Sequence, residues 1–133
     1  MIGVVIATHG RLAEEMLRTA ETVVGVIEQA RAVAVDPAVQ DMRAAIKEAI
    51  KGVDTGDGVL LLTDLLGGSP TNLCLSFLEE RKVEVVTGVN LPMLLKLGQL
   101  RAGSKPIVQL AAELVESGQR AIGHASGMLR GLG

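Results

Sequence analysis

The sequence contains no tryptophan or tyrosine, and Phe77 is its one aromatic residue. Surfaces that bind single-stranded nucleic acid stack bases on aromatic rings, and aromatic sugar platforms need the same side chains. The formal net charge is −2, whereas proteins that bind the phosphate backbone usually carry an excess of lysine and arginine. The composition therefore argues against a nucleic-acid partner.

Cysteine and long apolar runs are also scarce. Cys74 is the single cysteine, which excludes an internal disulfide framework and cysteine-rich metal sites. We expect it to be a small buried residue without a chemical role. No apolar run approaches the roughly 18 residues of a membrane span, and no basic segment typical of a signal peptide opens the chain. We therefore predict a cytoplasmic protein.

Short segments rich in Val, Leu and Ile alternate with longer amphipathic segments. The short ones are typical of strands buried on both faces of a parallel sheet, and they are residues 2–7, 32–35, 58–63 and 83–87. The intervals between them, and residues 91–101 and 106–118, have apolar residues at helical spacing. This alternation predicts a three-layer α/β sandwich with a central, mainly parallel four-stranded sheet of order 2-1-3-4. We expect one domain over residues 1–133, because no Pro/Gly/Ser-rich linker divides the chain.

Helix boundaries are predicted from capping residues. Asp36-Pro37 and Ser69-Pro70 each join a preferred N-cap residue to a proline suited to the first helical position. Gly25 and Gly52 follow helical patterns and are predicted as C-caps.

Two polar residues stand where predicted strands end. His9 follows the first strand in "VVIATHGRLAEE", and Asp64 follows the third in "LLLTDLLGGSPTN". In the order 2-1-3-4 these strands are neighbours, and their crossovers leave on opposite faces of the sheet, so their two loops border one crevice. We therefore expect His9 and Asp64 to meet at the carboxyl edge of the sheet.

The loop after Asp64 has the composition of an anion site. Gly67 and Gly68 allow a tight turn and close approach to a ligand, and Ser69 is predicted to begin a helix whose first amides are unpaired. Neither the Walker lysine motif nor the G-x-G-x-x-G dinucleotide motif is present. The loop therefore favours a phosphoryl group over a nucleotide, and we expect no cofactor.

Each feature alone is more often structural than functional, but together they indicate a phosphohistidine intermediate. A carboxylate at Nδ1 would fix the imidazole tautomer and leave Nε2 as the nucleophile, and loop amides would stabilise the phosphoryl charge. A zinc site is less favoured because no second histidine has ligand spacing, so we expect no metal. A Ser-His-Asp hydrolase using Ser69 is less favoured because the G-x-S-x-G elbow is missing.

Three segments carry a resemblance to a known family. "VVIATHGRLAEEMLRTAETVVG", "GVLLLTDLLGGSPTN" and "VTGVNLPMLL" resemble, in order and spacing, the signature segments of the mannose-type enzyme IIA component of the phosphoenolpyruvate-dependent sugar phosphotransferase system. The resemblance implies that His9 is phosphorylated by the phosphocarrier protein HPr, with Asp64 as its hydrogen-bonding partner. The phosphoryl group would then pass to a IIB component and to a sugar entering through membrane IIC and IID components. A regulatory phosphoacceptor without sugar transport is an alternative that shares the same first step.

Some segments depart from the family pattern. Leu66 and Thr71 stand where family members often have an aromatic residue, so the docking surface for HPr or IIB is expected to differ. The glycine-rich tail, residues 121–133, stands where the family often has an antiparallel edge strand exchanged across a dimer. The sequence leaves open whether this strand forms. We expect His124 in this tail to be a solvated residue.

The segment "NLPMLLKLGQL" predicts self-association. It carries more apolar residues than one helix face can bury against a sheet, so part of it is expected to meet a second subunit, as in the family's dimers. These residues are Leu91, Met93, Leu94, Leu95, Leu97 and Leu100.

Overall fold

In the computed structural model, residues 1–131 are described, and they form four strands joined and followed by six helices. The bounds lie within a few residues of the predicted ones wherever an element was predicted. In chain order the elements are β1 (Gly3–His9), α1 (Leu12–Val24), β2 (Ala30–Val35), α2 (Met42–Val53), β3 (Val59–Thr63), α3 (Ser69–Leu75), β4 (Val83–Val86), α4 (Leu91–Leu100), α5 (Ile107–Arg120) and α6 (Ala125–Leu129).

The four strands form one parallel sheet in the order β2-β1-β3-β4, which confirms the predicted topology. The register pairs Ala7 of β1 with Thr63 of β3. The carboxyl ends of these neighbouring strands therefore lie side by side, as the placement of His9 and Asp64 requires.

Alternate residues of each strand face opposite sides of the sheet, and each side is covered by helices. In β1, Val4 and Ile6 belong to a core cluster with α1, α4 and α5, whereas Val5 and Ala7 belong to a second cluster with α2 and α3. This arrangement confirms the three layers. It also places the helices that follow β1 and β3 on opposite faces, so that their loops flank one crevice.

Helix α4 packs against both α1 and α5. Met93, Leu94 and Leu97 are fully buried there, and the other three leucines of this helix are partly buried against the same cluster. Close approach to α5 depends on Gly118, because a Cβ there would lie 2.7 Å from the Met93 sulfur. Neighbouring helices of the same subunit therefore cover three of these residues fully and three in part, and self-association through this segment stays a prediction.

Two predicted helix boundaries needed correction. Asp36 does not cap α2; its carboxylate accepts from the Ala38 amide in a separate turn. The cap is Asp41, whose side chain accepts from the Ala44 amide from a left-handed backbone conformation. At the other end, α2 continues through Gly52 to Val53. Gly25 does end α1, with φ of +83°.

The C-terminal tail has a different structure from an edge strand. Within residues 121–131 the chain forms the short helix α6, and the described part of the protein has no fifth strand. Three glycines and few β-branched residues in this segment disfavour pairing in a sheet. Residues 132–133 of the predicted tail lie outside the described residues. In the described part, no helix is both long enough and apolar enough to cross a membrane.

Candidate functional site

His9 and Asp64 meet at the carboxyl edge of the sheet. His9 Nδ1 lies 2.8 Å from Asp64 Oδ2, and the His9 backbone amide donates to the same oxygen at 3.0 Å. The side chain of His9 is 47% exposed and that of Asp64 is 11% exposed. Nδ1 is therefore held by a largely buried carboxylate, while Nε2 has no hydrogen-bond partner among residues 1–131.

The surroundings keep Asp64 ionised. Partial burial, the largest single influence, raises the pKa of Asp64, but the hydrogen bonds from the His9 amide and ring and the charge of the His9 imidazolium together lower this pKa below its ordinary value. The second oxygen, Oδ1, accepts from the Leu65 amide at 3.0 Å. An ionised acceptor at Nδ1 favours the tautomer with the proton on Nδ1, and this leaves the Nε2 lone pair free.

The turn after His9 is set by local backbone chemistry. Gly10 adopts a φ of +54°, in the left-handed region that glycine enters without strain. The buried hydroxyl of Thr8 then accepts from the Ala13 amide at 2.8 Å, which satisfies a free donor at the start of α1. His9 thus stands between a fixed strand and a fixed helix.

The glycine loop reaches the imidazole directly. A Cβ built on Gly68 would lie 2.9 Å from Cε1 of His9, closer than real Cβ atoms approach other atoms, so any other residue there would displace the His9 ring or the loop. Gly67 has the positive φ, +84°, whereas Gly68 is extended. The two glycines therefore have different tasks, since Gly67 turns the chain and Gly68 makes room for His9.

Ser69 is the first residue of α3 rather than its cap, which corrects the predicted boundary. Gly68 occupies the cap position, and no side chain caps this helix. Pro70, next in the helix, lacks an amide hydrogen, and the first amide of the helix that pairs within it belongs to Asn72, which donates to the Gly68 carbonyl. The amides of Gly68 and Ser69 donate to no group in residues 1–131, so they are available to a ligand.

Sequence reasoning missed two hydroxyls beneath this loop. Thr63 and Thr71 are both buried, their Oγ1 atoms are 2.6 Å apart, and the Thr71 hydroxyl lies 2.6 Å from the Leu65 carbonyl. The sequence did contain a signal for them: Thr63 is a polar residue at the end of an apolar strand, and Thr71 is a polar residue on the buried face of a helix.

A cavity of about 510 Å³ adjoins the glycine loop on the side of β4. Its walls include the exposed Leu66, the buried Thr71, Asn90 from the loop before α4, and Ile122 from the segment after α5. Leu66 and Thr71, where the resemblance led us to expect an aromatic residue, therefore line one depression next to the glycine loop. No aromatic side chain lines it among the described residues.

Cys74 and His124 lie apart from the site chemistry. Cys74 is fully buried in α3, as predicted, and burial raises its thiol pKa to about 12. His124 is exposed, as predicted, and precedes α6 with its ring packed over Gly127. Within the part of the chain that the structure describes, no group of three or more His, Cys, Asp or Glu could hold a metal ion.

The chain is similar to known proteins of one family. A family model described as the fructose IIA component of the PTS system matches residues 3–114. The mannose-specific EIIAB component of the PTS system from Escherichia coli (strain K12) is 33% identical over 124 residues, which is 91% of this chain. The chain spans only 38% of that relative's length.

A relative and a solved structure of similar length extend the comparison. The fructose-specific EIIA component of Bacillus subtilis (strain 168) is 31% identical over 106 residues, covering 76% of this chain and 71% of that protein. The crystal structure of a PTS IIA protein associated with the fucose utilization operon of Streptococcus pneumoniae superimposes with a TM-score of 0.81 at 32% identity, covering 96% of this chain and 95% of the other. The chain therefore belongs to the mannose- and fructose-type family of IIA components of the phosphotransferase system.

Proposed function

We propose that this protein carries a phosphoryl group on Nε2 of His9. The observation that supports this most directly is the 2.8 Å contact of Nδ1 with Asp64, combined with an exposed ring whose Nε2 is unpartnered. In the transfer step the Nε2–P bond forms while the bond from phosphorus to the donor breaks. The proton stays on Nδ1, where the Asp64 carboxylate stabilises the positive charge that develops on the ring.

The backbone amides of Gly67, Gly68 and Ser69 are proposed to hold the phosphoryl oxygens. Support comes from the contact between Gly68 and the imidazole and from the unpaired amides of Gly68 and Ser69. Fixed donors aimed at developing negative charge stabilise such a transition state more than mobile water does. The chain thus needs no metal or cofactor in this proposal.

The proposed partners follow from membership in the family. Phospho-HPr is the donor and a IIB component is the acceptor, with the membrane IIC and IID components acting later on an incoming sugar. In this proposal residues 1–133 act as one IIA-type domain in the cytoplasm. Leu66, which is 78% exposed, is placed to contact either partner beside His9.

Phosphorylation in vitro tests the proposal. The protein is incubated with phosphoenolpyruvate, enzyme I and HPr, and intact-mass and peptide analysis are then carried out. We expect one acid-labile, base-stable phosphoryl group on His9. His9→Ala should abolish acceptance, whereas the matched variant His124→Ala should accept phosphate at the unmodified rate. Label on Ser69 or His124 would overturn the assignment.

Adding a IIB component to the phosphorylated protein tests the second half of the proposal. Loss of the label from His9 with its appearance on IIB supports a role in sugar uptake. Retention of the label in the presence of active IIB components would instead favour a regulatory phosphoacceptor.

We also propose that the protein is a homodimer. Support comes from β4, whose outer edge has no neighbouring strand among residues 1–131, because a free strand edge is a template for pairing with another chain. Exposed Val115 and Ile122 line the cavity on this side. Sedimentation at micromolar concentration is expected to give a dimer, and a monomer at that concentration would contradict the proposal.

A further inference from the structure

Thr63 and Thr71 form a short chain of hydrogen bonds beneath the candidate site. Thr63 ends β3, Thr71 is the third residue of α3, and their exposed fractions are 0% and 1%. Their hydroxyl oxygens are 2.6 Å apart, and the Thr71 hydroxyl lies 2.6 Å from the Leu65 carbonyl oxygen. The two hydroxyls therefore pair with each other and with the backbone of the loop.

The number of hydroxyl hydrogens fixes which group donates in each of these hydrogen bonds. A hydroxyl has one hydrogen to donate, and the Leu65 carbonyl can only accept, so the Thr71 hydrogen goes to Leu65. Thr63 must then donate to Thr71 Oγ1. The order is Thr63 O–H to Thr71 O–H to the Leu65 carbonyl, and bonds arranged head to tail in this way strengthen one another.

This chain of hydrogen bonds ends on the carbonyl of Leu65, the residue whose amide contacts Asp64. The Leu65 amide donates to Asp64 Oδ1, and Asp64 Oδ2 faces the backbone amide and Nδ1 of His9. Leu65 is thus fixed at its amide by Asp64 and at its carbonyl by Thr71. Because the Leu65 side chain is 50% exposed, side-chain packing contributes less to this segment than the two backbone contacts do.

We propose that Thr63 and Thr71 are positioning residues, which fix the backbone of Leu65 so that the Asp64 carboxylate holds the Nδ1–H tautomer of His9. The same bonds tie the end of β3 to the start of α3 and so fix the span that contains Gly67 and Gly68. This role rests on the proposed phosphoryl carriage by His9. Neither threonine touches the phosphoryl group, and both act through Leu65 and Asp64.

Matched variants separate positioning from simple stability. Thr71→Val keeps the shape of the side chain and removes the hydroxyl, whereas Thr71→Ser keeps the hydroxyl. Thr71→Val leaves the buried Thr63 hydroxyl unpaired, which destabilises the fold. Thr63→Val/Thr71→Val removes both hydroxyls together, and replacing both partners of a buried hydrogen bond by apolar groups of the same shape is close to neutral for stability. In this variant only the part-buried Leu65 carbonyl loses its donor, so most of the stability lost in Thr71→Val should return.

The first measurement is the rate of phosphoryl acceptance from phospho-HPr. We expect a decrease of about tenfold in Thr71→Val, less than the roughly 100-fold that a 1 Å misplacement of a reacting group can cause. Thr71→Ser should be close to the unmodified protein. The double variant should regain most of the melting temperature lost in Thr71→Val but not the rate of phosphoryl acceptance. A rate that follows the melting temperature across the three variants would overturn the inference.

The second measurement does not depend on phosphoryl transfer. Nitrogen-15 NMR of the His9 ring reports the tautomer, and we expect the population protonated on Nδ1 to fall in Thr71→Val and in the double variant but not in Thr71→Ser. An unchanged tautomer in both Val variants would overturn the inference. If the unmodified protein does not accept phosphate, the proposed function fails, whereas the tautomer measurement still decides whether the hydroxyls position Asp64 and His9.

Discussion

The two ends of the parallel sheet contain charged groups that are used in different ways. At the amino ends of the strands, Arg101 donates to the carbonyls of Ile2 and Glu28 at 2.9 and 2.8 Å, and the N-terminal amine pairs with Asp57 at 2.6 Å. At the carboxyl ends, Asp64 is equally well bonded, but its partner His9 keeps one ring nitrogen free. The amino end therefore uses its charges to hold loops in place, whereas the carboxyl end keeps a reactive atom available.

Cavity size does not distinguish the two ends. Each borders a depression of about 510 Å³, one lined by Arg101 and Lys105 and the other by Leu66 and Thr71. The difference is that Nε2 of His9, at the carboxyl end, has no hydrogen-bond partner among residues 1–131. Ligands in open parallel sheets gather at the carboxyl ends. Substitutions at the carboxyl end should therefore change the rate of phosphoryl acceptance, and substitutions at the amino end should change the free energy of unfolding.

Gly68→Val should have the largest effect on function. The added side chain would occupy the space now filled by the His9 ring, so we expect phosphoryl acceptance to fall by more than about 100-fold. The melting temperature should change little, because the loop is at the surface. In the phosphorylated unmodified protein, amide shifts should extend over residues 67–72 as well as around His9.

Ser69→Ala is the control for Gly68→Val. It keeps the backbone donors, and the Ser69 side chain makes no capping bond, so acceptance should stay near the unmodified rate. Normal acceptance by Gly68→Val would show that the glycine loop does not hold the phosphoryl group.

Asp64→Asn should have the next largest effect. An amide keeps the size of the side chain but can present its NH₂ group to Nδ1, which favours the wrong tautomer, and it loses the charge that stabilises an imidazolium. We expect transfer to and from His9 to slow by about 100-fold with little loss of stability. Unchanged kinetics in both directions would remove Asp64 from the mechanism.

Arg101→Met makes the converse test at the amino end. Removing the guanidinium leaves the carbonyls of Ile2 and Glu28 without their donor, and we expect a loss of about 1–3 kcal/mol in the free energy of unfolding. Phosphoryl acceptance by the folded fraction should be unchanged. A slower transfer step in folded Arg101→Met would show that the two ends of the sheet are coupled.

Acidification should reveal the smallest effect. Because the pKa of Asp64 is lowered on folding, its stabilising contribution is complete above the unfolded-state value of about 3.9 and is lost as the pH falls through the lower folded-state value. Between about pH 5 and pH 3, the unmodified protein should lose up to about 1 kcal/mol more than Asp64→Asn.

Urea denaturation at each pH measures this difference. Asp57 and Glu113 also have lowered pKa values, but both proteins share them, so the difference isolates Asp64. Parallel losses in the two proteins would contradict the lowered pKa of Asp64.

The sheet and the central pair of residues could be predicted from the sequence for a clear physical reason. Strands buried on both faces have a strong apolar signal, and strand order together with right-handed crossovers brings His9 and Asp64 to one edge. The sheet and this pair depend on the periodicity of apolar residues and on topology, and both are visible in long stretches of the sequence.

The details that were wrong depend on single contacts. Asp36 and Asp41 have the same capping chemistry, and the separate turn at Asp36 decided which one begins α2. The sequence also did not show that α1 and α5 would both pack against the leucines of α4. The Thr63–Thr71 contact joins two ordinary threonines eight positions apart, and only the folded loop brings them together.

The open edge of the His9 ring has a consequence for the order of events on this protein. In the proposed function, one nitrogen receives the phosphoryl group and gives it up from the same exposed side, because Asp64 occupies the other nitrogen. A proposed donor and a proposed acceptor that each cover this side cannot be bound together. We therefore expect the two to compete for one surface, so that steady-state turnover follows ping-pong kinetics and an excess of unphosphorylated donor slows delivery to the acceptor.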